Sequence, residues 1–135
     1  MAKKPLYKNA SPVFHDVYSQ IEKVVKKTFP RAQTVFAHGM SGWKIRIPQK
    51  LQPKNFTGTF DPTCVLILPV ERKTGISLHI LNPLGYYSLE KHRVELTKAG
   101  FKVLRACLIF SRKSAYPIDA LAKSFLRIKK SLEIL

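Results

Sequence analysis

A histidine, two glycines, a methionine and the only tryptophan fall within the six residues His38-Gly39-Met40-Ser41-Gly42-Trp43. An imidazole beside a turn can ligate or move a proton, and an aromatic wall can hold a small molecule, so His38, Met40 and Trp43 form one candidate ligand pocket. The following run, Trp43-Lys44-Ile45-Arg46-Ile47, alternates with period two. That parity sends Trp43, Ile45 and Ile47 to the core and Lys44 and Arg46 to the other side. It leaves His38 as the pocket's remaining ligand and makes Gly39 to Gly42 a hairpin loop in which glycine supplies positive φ.

The second candidate chemistry is anion binding. Lys and Arg number 24 against 8 acidic residues, a formal net charge of +16 with a pI near 10.2. Strand alternation sorts part of this charge. If helices cover the face bearing Ile45, Leu78 and Leu104, then Lys44, Arg46, Ser77, His79 and Arg105 share the opposite, open face, edged by Lys50 and Lys54. An anionic partner is the expectation, with nucleic acid one candidate, since sheet faces bind single strands where basic residues flank exposed aromatics. Phe36, Trp43, Phe56 and Phe60 are the aromatics at hand. A solvated cationic surface with no dedicated ligand would explain the same charge. Arg112, Lys113, Arg127, Lys129 and Lys130 read as the wet side of a helix and the turn before it.

Catalytic signatures are sparse. Lys73-Thr74-Gly75 and Ser88-Leu89-Glu90-Lys91 match two pieces of a serine β-lactamase signature, but in reversed order and without the third. The chain carries no nucleophile elbow, phosphate loop, zinc-protease helix or dinucleotide fingerprint, so enzyme function has little support and no cofactor is expected. His15, His38, His79 and His92 are too scattered for local metal-ligand spacing, and no metal site is assigned. Cys64 and Cys107 sit singly in apolar runs, as buried reduced thiols do. Met1 to Lys4 lead into no apolar segment and no run is long enough to span a bilayer, so no membrane partner is expected and the expected location is cytoplasmic.

The positioning elements follow from periodicity. Residues 1–10 read as a basic flexible tail, and 11–135 as a single α+β domain. Ser11 and Pro12 open an amphipathic helix through Phe14, Val17, Tyr18, Ile21, Val25 and Phe29, stopped by Pro30. Strands are expected at 34–38, 43–47, 64–68, 76–80 and 101–110, a polar loop over Pro48 to Pro62, and a weaker helix from Ser88 to Gly100. The run at 64–68 is apolar on both faces, which implies cover on part of its second face. A last helix opens at Pro117 and Asp119 with Leu121, Phe125, Ile128 and Leu132 inward. The expected fold is a mainly antiparallel four- or five-stranded sheet with the N- and C-terminal helices packed on one face.

That order, with His38-Gly39-Met40 after the first helix and Gly100-Phe101-Lys102-Val103 turning into the last strand, resembles a small domain-of-unknown-function family that includes a bacterial frataxin-like iron chaperone. The resemblance spans nearly the whole chain. It implies a frataxin-like sandwich and, for one branch, iron delivery through acidic side chains on the first helix and sheet edge. The first helix here offers Asp16 and Glu22 amid Lys23, Lys26 and Lys27, and no iron-binding residue carries over. Two functions are therefore expected: a non-enzymatic binding module for an anionic partner, or a frataxin-like metal or small-ligand chaperone.

Overall fold

The computed structural model describes residues 11–37, 39–48, 63–73, 75–81, 92–104, 106–111 and 116–131. The first helix, α1, runs Pro12–Thr28. Ser11 caps it by accepting the Phe14 N–H at 3.1 Å, and Pro12 fits the first turn because its missing N–H would have had no helical partner. The cap is itself tied down. The Ser11 N–H and Oγ–H both donate to the Glu71 carboxylate, at 2.9 and 2.6 Å, anchoring the helix start to the far end of a strand distant in sequence. At the other end Pro30 stops the helix, and the Phe29 N–H closes the last turn onto the Val25 carbonyl at 2.7 Å.

The sheet contains β1 (Gln33–Ala37), β2 (Met40–Arg46), β3 (Cys64–Arg72), β4 (Gly75–Leu81), β5 (Lys102–Val103) and β6 (Cys107–Phe110). All pairs are antiparallel, in the order β1-β2-β3-β4-β6-β5. Among the described residues there are thus six strands rather than the expected four or five. The extra strand comes from the run 101–110, which folds back on itself. The Leu104 N–H donates to the Cys107 carbonyl at 2.8 Å, and Val103 pairs with Leu108. The turn resets the parity of a continuous strand, so Val103 is 6% exposed and Leu104 is 39% exposed, the reverse of what unbroken alternation predicts.

The first hairpin is also tighter than expected. Ala37 pairs with Met40, so the turn is two residues long, and Gly39 takes positive φ, at 76°. Gly42 lies inside β2, where a Cβ would meet the Ile67 carbonyl oxygen at 2.1 Å. The β2–β3 register runs from Arg46↔Cys64 to Trp43↔Ile67. The Ile47 N–H bonds to the Thr63 carbonyl, so ladder alternation turns the odd residues of β3 toward β2. Pro69 is the next odd residue after Ile67, and its missing N–H fits the end of that pairing. The even residues face β4, and that ladder continues to Arg72↔Gly75.

Helix α2 (Arg93–Lys98) and helix α3 (Ile118–Ser131) complete the fold. The expected start of α2 near Ser88 lies outside the described residues. Its end is a Schellman turn: Gly100 takes φ 111°, its N–H reaches the Thr97 carbonyl, and the Phe101 N–H reaches the Leu96 carbonyl. Arg127 of α3 is ion-paired with Glu95 of α2. Side chains of α1 and α3 share one buried cluster with Trp43, Ile45, Val65, Ile67, Leu78 and Leu108 of the sheet. Within it the Tyr18 and Trp43 rings lie 4.9 Å apart and the Phe29 and Phe125 rings 6.0 Å apart. Each such aliphatic or aromatic side chain contributes about 1.5–3 kcal/mol by leaving water. The other face of the sheet carries its own buried cluster of Cys64, Leu66, Leu68 and Leu81, so the central strand is covered on both sides. Among the described residues no helix is long and apolar enough to cross a membrane.

Candidate anion-binding site

The first strand is shorter than the second at one end, and this difference makes a cavity. Gln33 of β1 pairs with Lys44, after which β2 continues through Ile45 and Arg46 with no β1 residue opposite. The chain before Gln33 is instead turned inward, with the Ala32 N–H bonded to the Phe29 carbonyl at 2.9 Å. Alternation along β2 points the Arg46 backbone groups away from β3, to the side β1 has left. The notch has a volume of about 390 Å³, and Arg31, Gln33, Lys44, Arg46, Phe29 and Cys64 are among the residues lining it. Arg31 enters from the helix-to-strand turn and Lys44 and Arg46 from one face of β2. Phe29, Ile45 and Ile47 belong to its apolar lining.

Electrostatics at this notch are one-sided. The described lining holds three cationic side chains and no carboxylate, and no ion pair among the described residues engages any of the three. Two guanidinium groups present planar donor forks, the geometry that matches carboxylate or phosphate oxygens, and Lys44 adds a point charge. The described lining holds neither a histidine nor an acid.

Of the residues singled out from sequence, the structure brings Lys44 and Arg46 together here. Lys50, Lys54, Arg105 and His38 lie outside the described residues. Met40 and Trp43 project from opposite faces of β2: Met40 packs on the second-face cluster, while Trp43 is fully buried beneath Tyr18. The two therefore share no pocket, and Trp43 is not among the residues lining the notch. His79 is on the same face as Lys44 and Arg46 but two strands away, separated from them by the buried Leu66 and Leu68.

A different set surrounds His79. The Arg72 guanidinium donates to Ser77 Oγ at 3.1 Å and meets His79 Nε2 at 3.3 Å, and Cys107 is the cross-strand partner of His79. Arginine has only donors, so Nε2 accepts and the neutral ring carries its proton on Nδ1. Burial, and then the Arg72 charge, hold the His79 pKa below its ordinary value. Burial pushes the Cys107 thiol up, outweighing Arg72 and its hydrogen bonds. A neutral imidazole beside a protonated thiol is not an activated nucleophile. Elsewhere, Asp16 accepts a hydrogen bond from Gln20 and Glu22 pairs with Lys26. Among the described residues no three His, Cys, Asp or Glu side chains gather as a metal ion requires.

Sequence reading missed Arg31. It follows a helix-stopping proline in a stretch with no period, and only the early start of the turn into β1 sets it beside Arg46.

No protein-family model matches the chain, and no curated protein matches it in sequence. Among solved structures, YdhG from Bacillus subtilis, a protein of the DUF1801 family, is similar in fold. The TM-score is 0.59 at 8% sequence identity, over 90% of this chain and 82% of that one. At that identity the likeness establishes the α+β fold with its antiparallel sheet and helices, and no frataxin-like relation accompanies it.

Proposed function

We propose that this protein is a non-enzymatic binding module that holds an anionic group in the notch between Arg31, Lys44 and Arg46. The observation that carries the reading is the convergence of these three cations on one cavity without a carboxylate among the described lining residues. A net charge of +16 adds long-range attraction for any polyanion. Heparin and single-stranded DNA and RNA are suitable first probes, titrated from about 50 to 200 mM salt because phosphate or sulfate contacts release counterions. The variant Arg31→Glu/Arg46→Glu is compared with Lys123→Glu/Lys130→Glu, exposed on α3, which changes net charge equally. The notch variant is expected to lose about tenfold more affinity than the control and to show a shallower salt slope. Equal losses would mean that only net charge matters.

The frataxin-like chaperone reading is the alternative, with His38 as its ligand. Calorimetry with ferrous iron on the wild type and His38→Ala separates the two, because the anion module predicts no difference between them.

A further inference from the structure

The outer edge of β1 offers a second, directional kind of recognition. Among the described residues β1 has β2 as its one neighbour. Alternation assigns its backbone groups. Ala37 and Met40 close the two-residue turn as a pair, so Gln33, Val35 and Ala37 turn their N–H and C=O groups to β2. Thr34 and Phe36 then turn theirs outward, at the two-residue spacing an incoming strand reads. Both residues are exposed, Phe36 to 59%, and no described strand pairs with this edge. Edge strands are commonly blunted by lysine, proline, a bulge or brevity; Gln33-Thr34-Val35-Phe36-Ala37 carries no charge and no proline, and its register with β2 is unbroken.

We infer that β1 takes up an extended acidic polypeptide segment as an added strand, with the Phe36 ring as a cross-strand contact and the cationic notch at the Gln33 end holding one of the segment's carboxylates. Backbone hydrogen bonds to Thr34 and Phe36 supply the pairing, and Arg31 and Lys44 at the same end of the strand select for negative charge. Charge also argues against a second copy of this chain as the occupant, since that would bring two bodies of +16 edge to edge. The carboxylate contact rests on the anion-binding reading of the notch; the strand pairing does not.

The test uses the full chain and a terminally blocked alternating Thr/Val peptide of about eight residues with Asp and Glu at both ends. N-methylation of alternate peptide residues removes the donors on one edge of the peptide at a time. Expected is saturable binding that one methylation parity abolishes and the other spares. Thr34→Pro removes an outward N–H without touching the β1–β2 ladder, and it is expected to weaken binding about tenfold. Absent binding, or binding indifferent to methylation parity, overturns the inference. So does self-association of the wild type that Thr34→Pro abolishes, which would make a second copy the occupant. Peptide binding that keeps its parity dependence in Arg31→Glu/Arg46→Glu upholds the strand pairing even if that variant binds heparin as well as the wild type. Heparin bound at the notch with no peptide bound removes the strand pairing alone.

Discussion

Replacing Gly42 by alanine separates two roles that glycine plays within four residues. A Cβ at position 42 would stand 2.1 Å from the Ile67 carbonyl oxygen and 2.8 Å from Leu68 Cδ2, more than an ångström short of ordinary contact with the first. The obstacle is backbone of the adjacent central strand, which no rotamer change can relieve, so β2 and β3 must separate near Trp43↔Ile67. Overpacking that moves only side chains costs about 1–3 kcal/mol; moving a paired strand puts Gly42→Ala at or above the top of that range, about 3 kcal/mol. At position 39 nothing lies within 4 Å of the added carbon, and the cost is that of holding a side chain at φ 76°, about 1–2 kcal/mol. For a chain of this length 3 kcal/mol corresponds to a fall in Tm on the order of 10 °C. Urea unfolding and thermal melts of Gly39→Ala, Gly39→Asn and Gly42→Ala make the comparison. Gly42→Ala is expected to be the least stable and Gly39→Asn the mildest, because asparagine tolerates the left-handed region. If Gly42→Ala melts at or above Gly39→Ala, the close approach of β2 to β3 is refuted.

Glu71 is expected to matter more than its exposed neighbours. Hydrogen bonds to a charged group contribute about 1.5–3 kcal/mol, so Glu71→Ala should cost about 2 kcal/mol and Ser11→Ala about 1 kcal/mol. The double variant should cost less than their total because the two share one interaction; additive losses in urea unfolding would dissolve the proposed anchor. His79 gives a pH signature. Its pKa is depressed in the folded chain, so the unfolded chain takes up the proton first as pH falls. The stability linked to this group is therefore complete above about pH 6.5 and declines below it. Arg72→Gln removes the smaller of the two causes and should move the His79 pKa partway back toward its ordinary value. NMR titration of the ring would contradict this if His79 titrated at or above the free value.

The long periodic segments were legible in the sequence. Alternation placed Trp43, Ile45, Ile76, Leu78 and Ile80 in the core, and helical spacing placed Phe14, Ile21, Leu121 and Phe125 there, because burial imposes a period on the chain. What failed was parity across hidden turns. Nothing in Phe101 to Phe110 resembles a turn signal, yet the chain reverses between Val103 and Cys107 and carries Leu104 to the surface. The glycines of the first hairpin misled in a related way, since a turn glycine and a close-approach glycine look alike in one dimension. For the candidate site, Lys44 and Arg46 were readable because they sit on a regular strand. Arg31 was not, because its position depends on where β1 begins relative to β2, which is a property of pairing rather than of any local run.

The two borders of the sheet are unequal, and this limits what the molecule can build. One ends in a strand of two residues, Lys102–Val103, too brief to template another; the other is five residues long and has no further strand beside it among the described residues. Among the described residues the sheet has one border long enough to accept a strand, and once a strand is added there that border is filled. Such a molecule can end a growing ribbon of strands but cannot lengthen one.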